Sequence, residues 1–404
     1  MTREQIYTQC VEKIDKTNCL LLEAATGIGK SKMSIDLINH LIDKPWYGLE
    51  DTINILILVA KRVHKQTWKD EIKKWGGISN HKSRINICME CYESLKNHCS
   101  EKWDIILADE IHHIGSELRL EQLRTMRFGD FIGLSATIPL KLKQFFRYRY
   151  HSEVVSCDIV EAIEDEILPE PQILLFPLML DNRNPSETWE INARAAGPII
   201  YGELKDIWKY KKQKVHAKLS CTQRQKLLEY DRLIEWEKNK YMQTRHQGMK
   251  QSWLFHAGKR LEFLAYCKNQ IVYDILKKLD KFRTITFCKT IEQSEVLGRN
   301  CIHSKKKDAT MIYDAFNNKK IHHITAVNIL NENANLVDCK YAVFANISSS
   351  DIVIPQRLGR AMRHKSPVII VPYYKDTREE EIVKKMFEGY NREFIRVIHS
   401  INEI

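Results

Sequence analysis

The chain has 404 residues, 44% of them hydrophobic and 28% charged, a balance typical of soluble globular proteins and a length suited to two or three domains. No apolar run is long enough to span a bilayer and Met1-Thr2-Arg3-Glu4 lacks a signal-peptide pattern, so a cytosolic protein is expected. The net charge of +11 favours an anionic partner, and most of the excess lies between Tyr201 and Arg260, with 15 Lys+Arg against 6 Asp+Glu.

From the N-terminus, apolar runs alternate with amphipathic stretches, the pattern of a parallel sheet flanked by helices. Strands are expected at Asn18–Ala24, Ile53–Ala60, Ile85–Cys88, Asp104–Ala108 and Phe131–Ser135, and helices at Ser31–Leu41 and Gln66–Trp75. After about residue 158 the texture changes. Glu170-Pro171 and Asn184-Pro185 punctuate a linker, and Pro171–Leu180 reads as an extended strand that joins a second sheet. From Glu203 to about Leu279 the sequence is proline-free, rich in Lys, Gln, Glu and Leu, and reads as a basic helical insertion. The first grammar then returns, with strands at Thr284–Cys288, His323–Asn328, Tyr341–Ala345 and Val368–Pro372, and helices at Ile291–Asn300 and Glu379–His399. The division expected is residues 1–158 and 159–404, with the insertion at about 186–279 inside the second part.

Eleven cysteines are scattered along the chain. Cys88-x-x-Cys91 has His98 and Cys99 nearby, but a zinc site of the usual kind needs a second such pair and none follows. Reduced, structural cysteines are expected.

Ala24-Ala25-Thr26-Gly27-Ile28-Gly29-Lys30-Ser31 follows a hydrophobic strand and opens a helix, the context a phosphate loop requires. Its glycines let backbone N–H groups curl around phosphates at a helix N-terminus. Lys30 would reach the terminal phosphates and the Ser31 hydroxyl would ligate Mg²⁺; Thr26, Gly27, Ile28 and Gly29 complete the ATP-binding set. Ala24 replaces the first glycine of the strict pattern. Asp109-Glu110-Ile111-His112 ends an apolar strand, at the sheet edge where open α/β folds bind ligands. Asp109 would hold Mg²⁺, directly or through water, and Glu110 would orient the attacking water as general base.

On these motifs the chain resembles a superfamily 2 helicase or translocase of the DExH class, most like the DNA repair and phage-recombination branch. Ser135-Ala136-Thr137 resembles the family's S-A-T motif, and Gln356-Arg357-Leu358-Gly359-Arg360-Ala361-Met362-Arg363 its Q-R-x-G-R-x-x-R motif. The resemblance implies two RecA-like parallel-sheet lobes of α/β class, with the basic helical insertion in the second and ATP and Mg²⁺ between them. It implies arginine fingers at Arg360 and Arg363, with Gln356 near the γ-phosphate, and adenine reading by Gln5. It also implies coupling of ATP state to strand grip through His112, Ser135, Thr137 and Glu332. An arginine facing the transferred phosphoryl group raises phosphoryl-transfer rates by about 10³–10⁵-fold.

Strand contacts are implied at Lys61 and Arg62 in Val59–Trp68, Ser94 in Cys91–Leu95, Thr290 in Phe287–Thr290, Ser304 in Ile302–Ser304 and Asn328 in Thr325–Leu336. Such loops position a backbone without reading bases. In the last of these Asn333 stands where the family commonly has glycine. In the insertion, Trp208, Tyr210, Tyr230, Trp236, Tyr241, Trp253 and Phe255 interleave with basic residues; inward packing is the leading reading, with stacking on bases the alternative. DNA is preferred over RNA as partner, and the protein is expected to be a monomer or weak oligomer. The rivals are a double-stranded DNA translocase of Swi/Snf type and a P-loop ATPase that acts on a protein. No nuclease constellation is evident, so a restriction subunit is not expected. Richness in Lys, Asn and Ile hints at an AT-rich source, a phage or mobile element acting in the host cytoplasm.

Overall fold

The computed structural model describes the chain apart from residues 46, 48–51, 80–83, 196–212, 328–335, 337, 348–356 and 360–363. Two parallel sheets organise it. The first holds β1 (Cys19–Ala24), β2 (Thr52–Val59), β3 (Arg84–Cys91), β4 (Lys102–Asp109), β5 (Arg127–Ser135) and β6 (Glu153–Cys157), in the order β3-β2-β4-β5-β1-β6. All of its pairings are parallel. β1, β2, β4 and β5 are buried on both faces over most of their length, which is why they read as continuous apolar runs rather than as alternation.

The second sheet is also parallel and is built from β7 (Gln172–Leu178), β10 (Thr284–Phe287), β11 (Cys301–Ile302), β12 (His323–Ala326), β13 (Tyr341–Phe344), β14 (Val368–Tyr374) and β15 (Ile395–Val397). Its order is β11-β12-β10-β13-β14-β7-β15. The expected strand after Pro171 is β7, seated between β14 and β15. One apolar cluster contains residues of both lobes, including Leu22 and Ile57 from the first sheet, Ile285 and Ile369 from the second, and Leu168 on the segment between them. Separate clusters cover the outer faces of the two sheets.

Two expectations need correction. The segment read as a helical insertion opens instead with an antiparallel pair, β8 (Glu187–Ala195) and β9 (Gln213–Cys221). Its register sets Trp189 opposite Leu219 and Ile191 opposite Ala217. The period-2 alternation of apolar residues in both runs favours strand over helix, but several of the apolar positions are small, Ala193, Ala195 and Ala217, which weakens the signal. Only then come helices Gln223–Thr244, Gln247–Cys267 and Asn269–Lys278. The first two pack along each other, and their roots dock on Leu180 and Tyr374. The second correction is at the C-terminus. The helix expected to reach His399 covers Arg378–Met386 only. Gly389 then takes φ +87°, Asn391 caps a short 3-10 turn, and Ile395–Val397 joins the sheet beside β7.

Lys268, at the junction of the last two insertion helices, is fully buried and ion-pairs with the equally buried Glu379 at 2.6 Å. The same carboxylate accepts from the Tyr374 N–H at 3.1 Å. This pair fastens the insertion to the end of β14.

Of the insertion aromatics, Tyr230 packs edge-on against Trp189 at 4.9 Å, and Tyr241 lies 6.2 Å from Trp253. Trp236 and Phe255 are more than half exposed, so inward packing holds for only part of the set. Trp208 and Tyr210 lie outside the described residues. No helix among the described residues is long and apolar enough to cross a membrane.

Candidate active site

The phosphate loop leaves β1 and enters the helix Lys30–Ile42. Gly27 and Gly29 take φ +102° and +103°, a left-handed backbone that glycine adopts without steric cost. Gly29 is the N-cap of the helix and makes no side-chain cap bond, so the first-turn N–H groups keep the donors that an anion takes up. Lys30 Nζ donates to the carbonyls of Ala24 at 2.7 Å and Ala25 at 3.3 Å, which holds the ammonium over the curl of the loop. Ser31 is half-buried in the first helical turn. Cationic and backbone N–H donors with a hydroxyl beside them form a donor set that fits a magnesium-bound triphosphate.

Arg3 was not anticipated. Its guanidinium donates to the Ile28 carbonyl at 3.1 Å and the Ile167 carbonyl at 3.0 Å, tying the first helix (Arg3–Thr17) to the loop. Gln5, the expected adenine reader, sits at the third position of that helix. Its Oε1 accepts from the Thr2 N–H at 2.7 Å in a capping box. Reading an adenine edge in bidentate fashion needs that oxygen as well as the amide nitrogen, so the cap competes with this role.

Asp109 and Glu110 stand at the end of β4. Asp109 Oδ2 accepts from the indole N–H of Trp68 at 2.9 Å, and its carbonyl accepts from the Tyr92 hydroxyl at 2.7 Å. Neither partner was foreseen. Trp68 supplied one signal, since a buried indole needs an acceptor. Glu110 takes a left-handed backbone, φ 54° and ψ 56°, a conformation that costs a non-glycine residue about 1–3 kcal/mol. Its buried carboxylate accepts from the Ser135 hydroxyl at 3.1 Å and lies 3.4 Å from His112 Nδ1. Burial pushes its pKa up, but the His112 hydrogen bond, the Lys30 and His112 charges and the Ser135 hydrogen bond outweigh burial and hold it below the ordinary value of 4.5.

Ser135 is the hub of this cluster. Its Oγ also lies 3.1 Å from His112 Nδ1, 2.9 Å from the Thr137 carbonyl and 3.3 Å from the Thr137 N–H. A hydroxyl has one proton, so it donates either to Glu110 or to Thr137 O. Of the set expected to couple ATP state to grip, His112 and Ser135 are thus brought together on Glu110, with Thr137 joined through Ser135. The strand Glu23, unforeseen, accepts from the Ile138 N–H at 2.7 Å and from Lys143. It links the segment after Thr137 to the strand that feeds the phosphate loop.

The second lobe reaches this site at Gly359. A Cβ built there would lie 2.5 Å from Thr26 Cβ and 2.6 Å from Thr26 O, and one built on Gly27 would lie 3.6 Å from Gly359 O. Arg357, two residues earlier, is buried, donates to the Asn346 carbonyl at 3.1 Å and lies over the Phe287 ring at 5.1 Å. Desolvation lowers its pKa to about 10. It is a core arginine of the second lobe. Gln356, Arg360, Arg363, Asn328 and Glu332 lie outside the described residues.

The expected strand contacts occupy the C-terminal ends of other strands. Lys61 and Arg62 are exposed after β2, and Ser94 is half-buried after β3. Thr290 follows β10 and caps the next helix through the Gln293 N–H at 3.1 Å, and Ser304 is exposed after β11. In the first sheet, the candidate phosphate-loop and carboxylate residues therefore lie at β1, β4 and β5, and the strand-contact candidates at β2 and β3.

The model for the family described as Type III restriction enzyme, res subunit, matches residues 2–140, and that for the helicase conserved C-terminal domain matches residues 267–365. Together they cover more than half of the chain. The first match spans the lobe with the phosphate loop. A search of the curated proteins found no match. Among solved structures, Saccharomyces cerevisiae Dbp5 bound to RNA and ADP BeF3 is 10% identical, with 98% of this chain and 89% of that chain covered and a TM-score of 0.57. The helicase domain of Pyrococcus furiosus Hef is 14% identical, with 95% and 97% covered and a TM-score of 0.47. The two parallel-sheet lobes are RecA-like helicase lobes in their fold.

Proposed function

Starting from a chain that belongs, by its two family domains, to the superfamily 2 helicases, we propose that it is a DExH-class motor that hydrolyses ATP between its lobes to move along or separate nucleic acid, with DNA the preferred partner. The observation that carries this reading is the contact of Gly359 with Thr26. It sets Gly359 against the phosphate loop, which supports a site whose hydrolysis depends on how the lobes sit, with Arg360 and Arg363, next along the chain, acting from the second lobe.

In this reading the first lobe is residues 1–158 and the second 159–404. Lys30 and the loop N–H groups bind the β- and γ-phosphates, Ser31 and Asp109 hold Mg²⁺, and Gln5 gives up its capping bond to read adenine. The ion neutralises phosphate charge when bound. Glu110, ionised by its surroundings, orients water and takes up its proton at the carboxylate. Arg360 and Arg363 stabilise charge on the transferred group, with Gln356 beside it. The Ser135 hydroxyl, able to donate to Glu110 or to Thr137 O, relays the state of the site to the segment after β5, with His112 and Glu332 in the same circuit. Lys61, Arg62, Ser94, Thr290, Ser304 and Asn328 grip the strand backbone, a salt-sensitive and sequence-independent mode. The DNA preference rests on the resemblance of the motifs to the repair and phage-recombination branch.

Steady-state ATP turnover with single- and double-stranded DNA and RNA, with Glu110→Gln as control, tests the reading. Strand-displacement and triplex-displacement assays then separate unwinding from duplex translocation. Turnover indifferent to every nucleic acid would favour an ATPase that acts on a protein instead.

A further inference from the structure

Cys88 and Cys91 do not act as a pair. Three residues apart on β3, they point to opposite faces of the strand: Cys91 is buried in the main core, and Cys88 packs against the outer cluster. Cys88 shares its face with Glu90, two residues on. The 3-10 turn that follows, Tyr92–His98, brings His98 back to the same place. A thiol sulfur, a carboxylate oxygen and an imidazole nitrogen thus gather with every ligand atom within 4.8 Å of the others.

From this convergence we propose that Cys88, Glu90 and His98 form a zinc site at the edge of the first sheet. The donor set selects the metal: thiolate with imidazole favours zinc over the hard cations magnesium and calcium. Zinc bonds of about 2.0–2.3 Å require donors about 3.3–3.8 Å apart in tetrahedral geometry, within side-chain adjustment of the observed spread. The surroundings are organised as a metal's outer shell is. His98 Nδ1 is bonded to Glu101 at 2.9 Å, which leaves Nε2 to coordinate and supplies the carboxylate behind the histidine that such ligands use. Trp103 packs edge-on against the ring at 5.8 Å and donates its indole N–H to the His98 carbonyl at 3.4 Å. Lys65 steadies Glu90 at 3.0 Å. Zinc displaces the thiol proton of Cys88 to solvent, and water completes the fourth position.

The segment clasped between Glu90 and His98 contains Tyr92, which bonds the Asp109 carbonyl, and Ser94, a proposed strand contact. A metal here pins the two ends of a segment that touches the ATP site and, on the reading above, the nucleic acid. Only that last consequence rests on the proposed function.

The test is metal binding by the purified full chain, with zinc alone as the probe and elemental analysis after removal of free metal. Affinity comes from chelator competition. The expected result is one zinc per chain, lost in Cys88→Ser and in His98→Ala and kept in Cys91→Ser. Glu101→Gln should weaken binding by about 10–100-fold. The absence of stoichiometric zinc, or its retention in both Cys88→Ser and His98→Ala, overturns the proposal. Circular dichroism checks that each variant folds. If Cys88→Ser does not, cobalt substitution in the unaltered chain decides: a thiolate-to-cobalt charge-transfer band supports the site and its absence overturns it. None of these readouts involves ATP turnover, so the helicase reading can fail without touching this result.

Discussion

Gly359→Ala isolates the contact between the lobes. A methyl group at this position would stand 2.5 Å from Thr26 Cβ and 2.6 Å from Thr26 O, closer than real Cβ atoms come, and part of the opposing wall is backbone that cannot rotate away. Locally the change favours folding, since Gly359 sits in a helical turn and alanine is the better helix former by about 1 kcal/mol. Any loss of function therefore comes from across the interface. Overpacking costs about 1–3 kcal/mol, relieved either by a shift of the phosphate loop or by separation of the lobes. At about 1.4 kcal/mol per tenfold, turnover of ATP should fall by about 5- to 150-fold. ATP affinity, set mainly by the first lobe, should change little. Gly258→Ala is the matched control: nothing lies within 4 Å of its added Cβ, and turnover should be unchanged. The assays are steady-state ATPase and equilibrium binding of a fluorescent ATP analogue. If Gly359→Ala turned over like Gly258→Ala, the lobes would not meet at Thr26 during hydrolysis.

Three further outcomes follow from the geometry. Trp68→Phe removes the indole donor to Asp109 while keeping most of the packing; a buried hydrogen bond to a charged group contributes about 1.5–3 kcal/mol, so kcat/KM for Mg-ATP should drop at least about tenfold with little change in fold by circular dichroism. Ser135→Ala removes a donor that lowers the Glu110 pKa. A general base works above its folded pKa, so the acid limb of the unaltered protein's rate profile should lie below 4.5 and move upward in the variant, as a pH–rate profile reads directly. Lys268→Met strands the buried Glu379 and should destabilise the second lobe by about 3–5 kcal/mol, with most of the loss recovered in Lys268→Met/Glu379→Leu, as measured by denaturant unfolding.

What could be read from sequence was whatever is contiguous. The phosphate loop, the Asp109-Glu110 pair and the Ser135–Thr137 run each lie in one stretch beside a strongly apolar strand, so short-range pattern located them and the resemblance supplied their roles. The strands were legible because burial on both faces leaves long apolar runs. Partners chosen by three-dimensional approach were not. Trp68 finds Asp109 across 41 residues, Glu23 meets Ile138 across 115, and Lys268 meets Glu379 across 111. No local pattern announces such pairs. β8 and β9 are hard to read because several of their alternating apolar positions are small, Ala193, Ala195 and Ala217, which weakens the apolar signal, and the C-terminal helix stops short of His399 because Gly389 takes a left-handed backbone. The spacing of Cys88-x-x-Cys91 says nothing of the neighbours each thiol meets: strand geometry turns the two apart and gives Cys88 Glu90 and His98 instead.

Coupling of hydrolysis to nucleic acid through a site shared by the two lobes is open to a direct test. The most direct measurement is steady-state ATP turnover of the full chain with and without DNA and RNA, beside Glu110→Gln. Turnover should rise on addition of nucleic acid, most with DNA, and should be abolished in Glu110→Gln. Turnover unmoved by any nucleic acid, or retained at the unaltered level in Glu110→Gln, would contradict it.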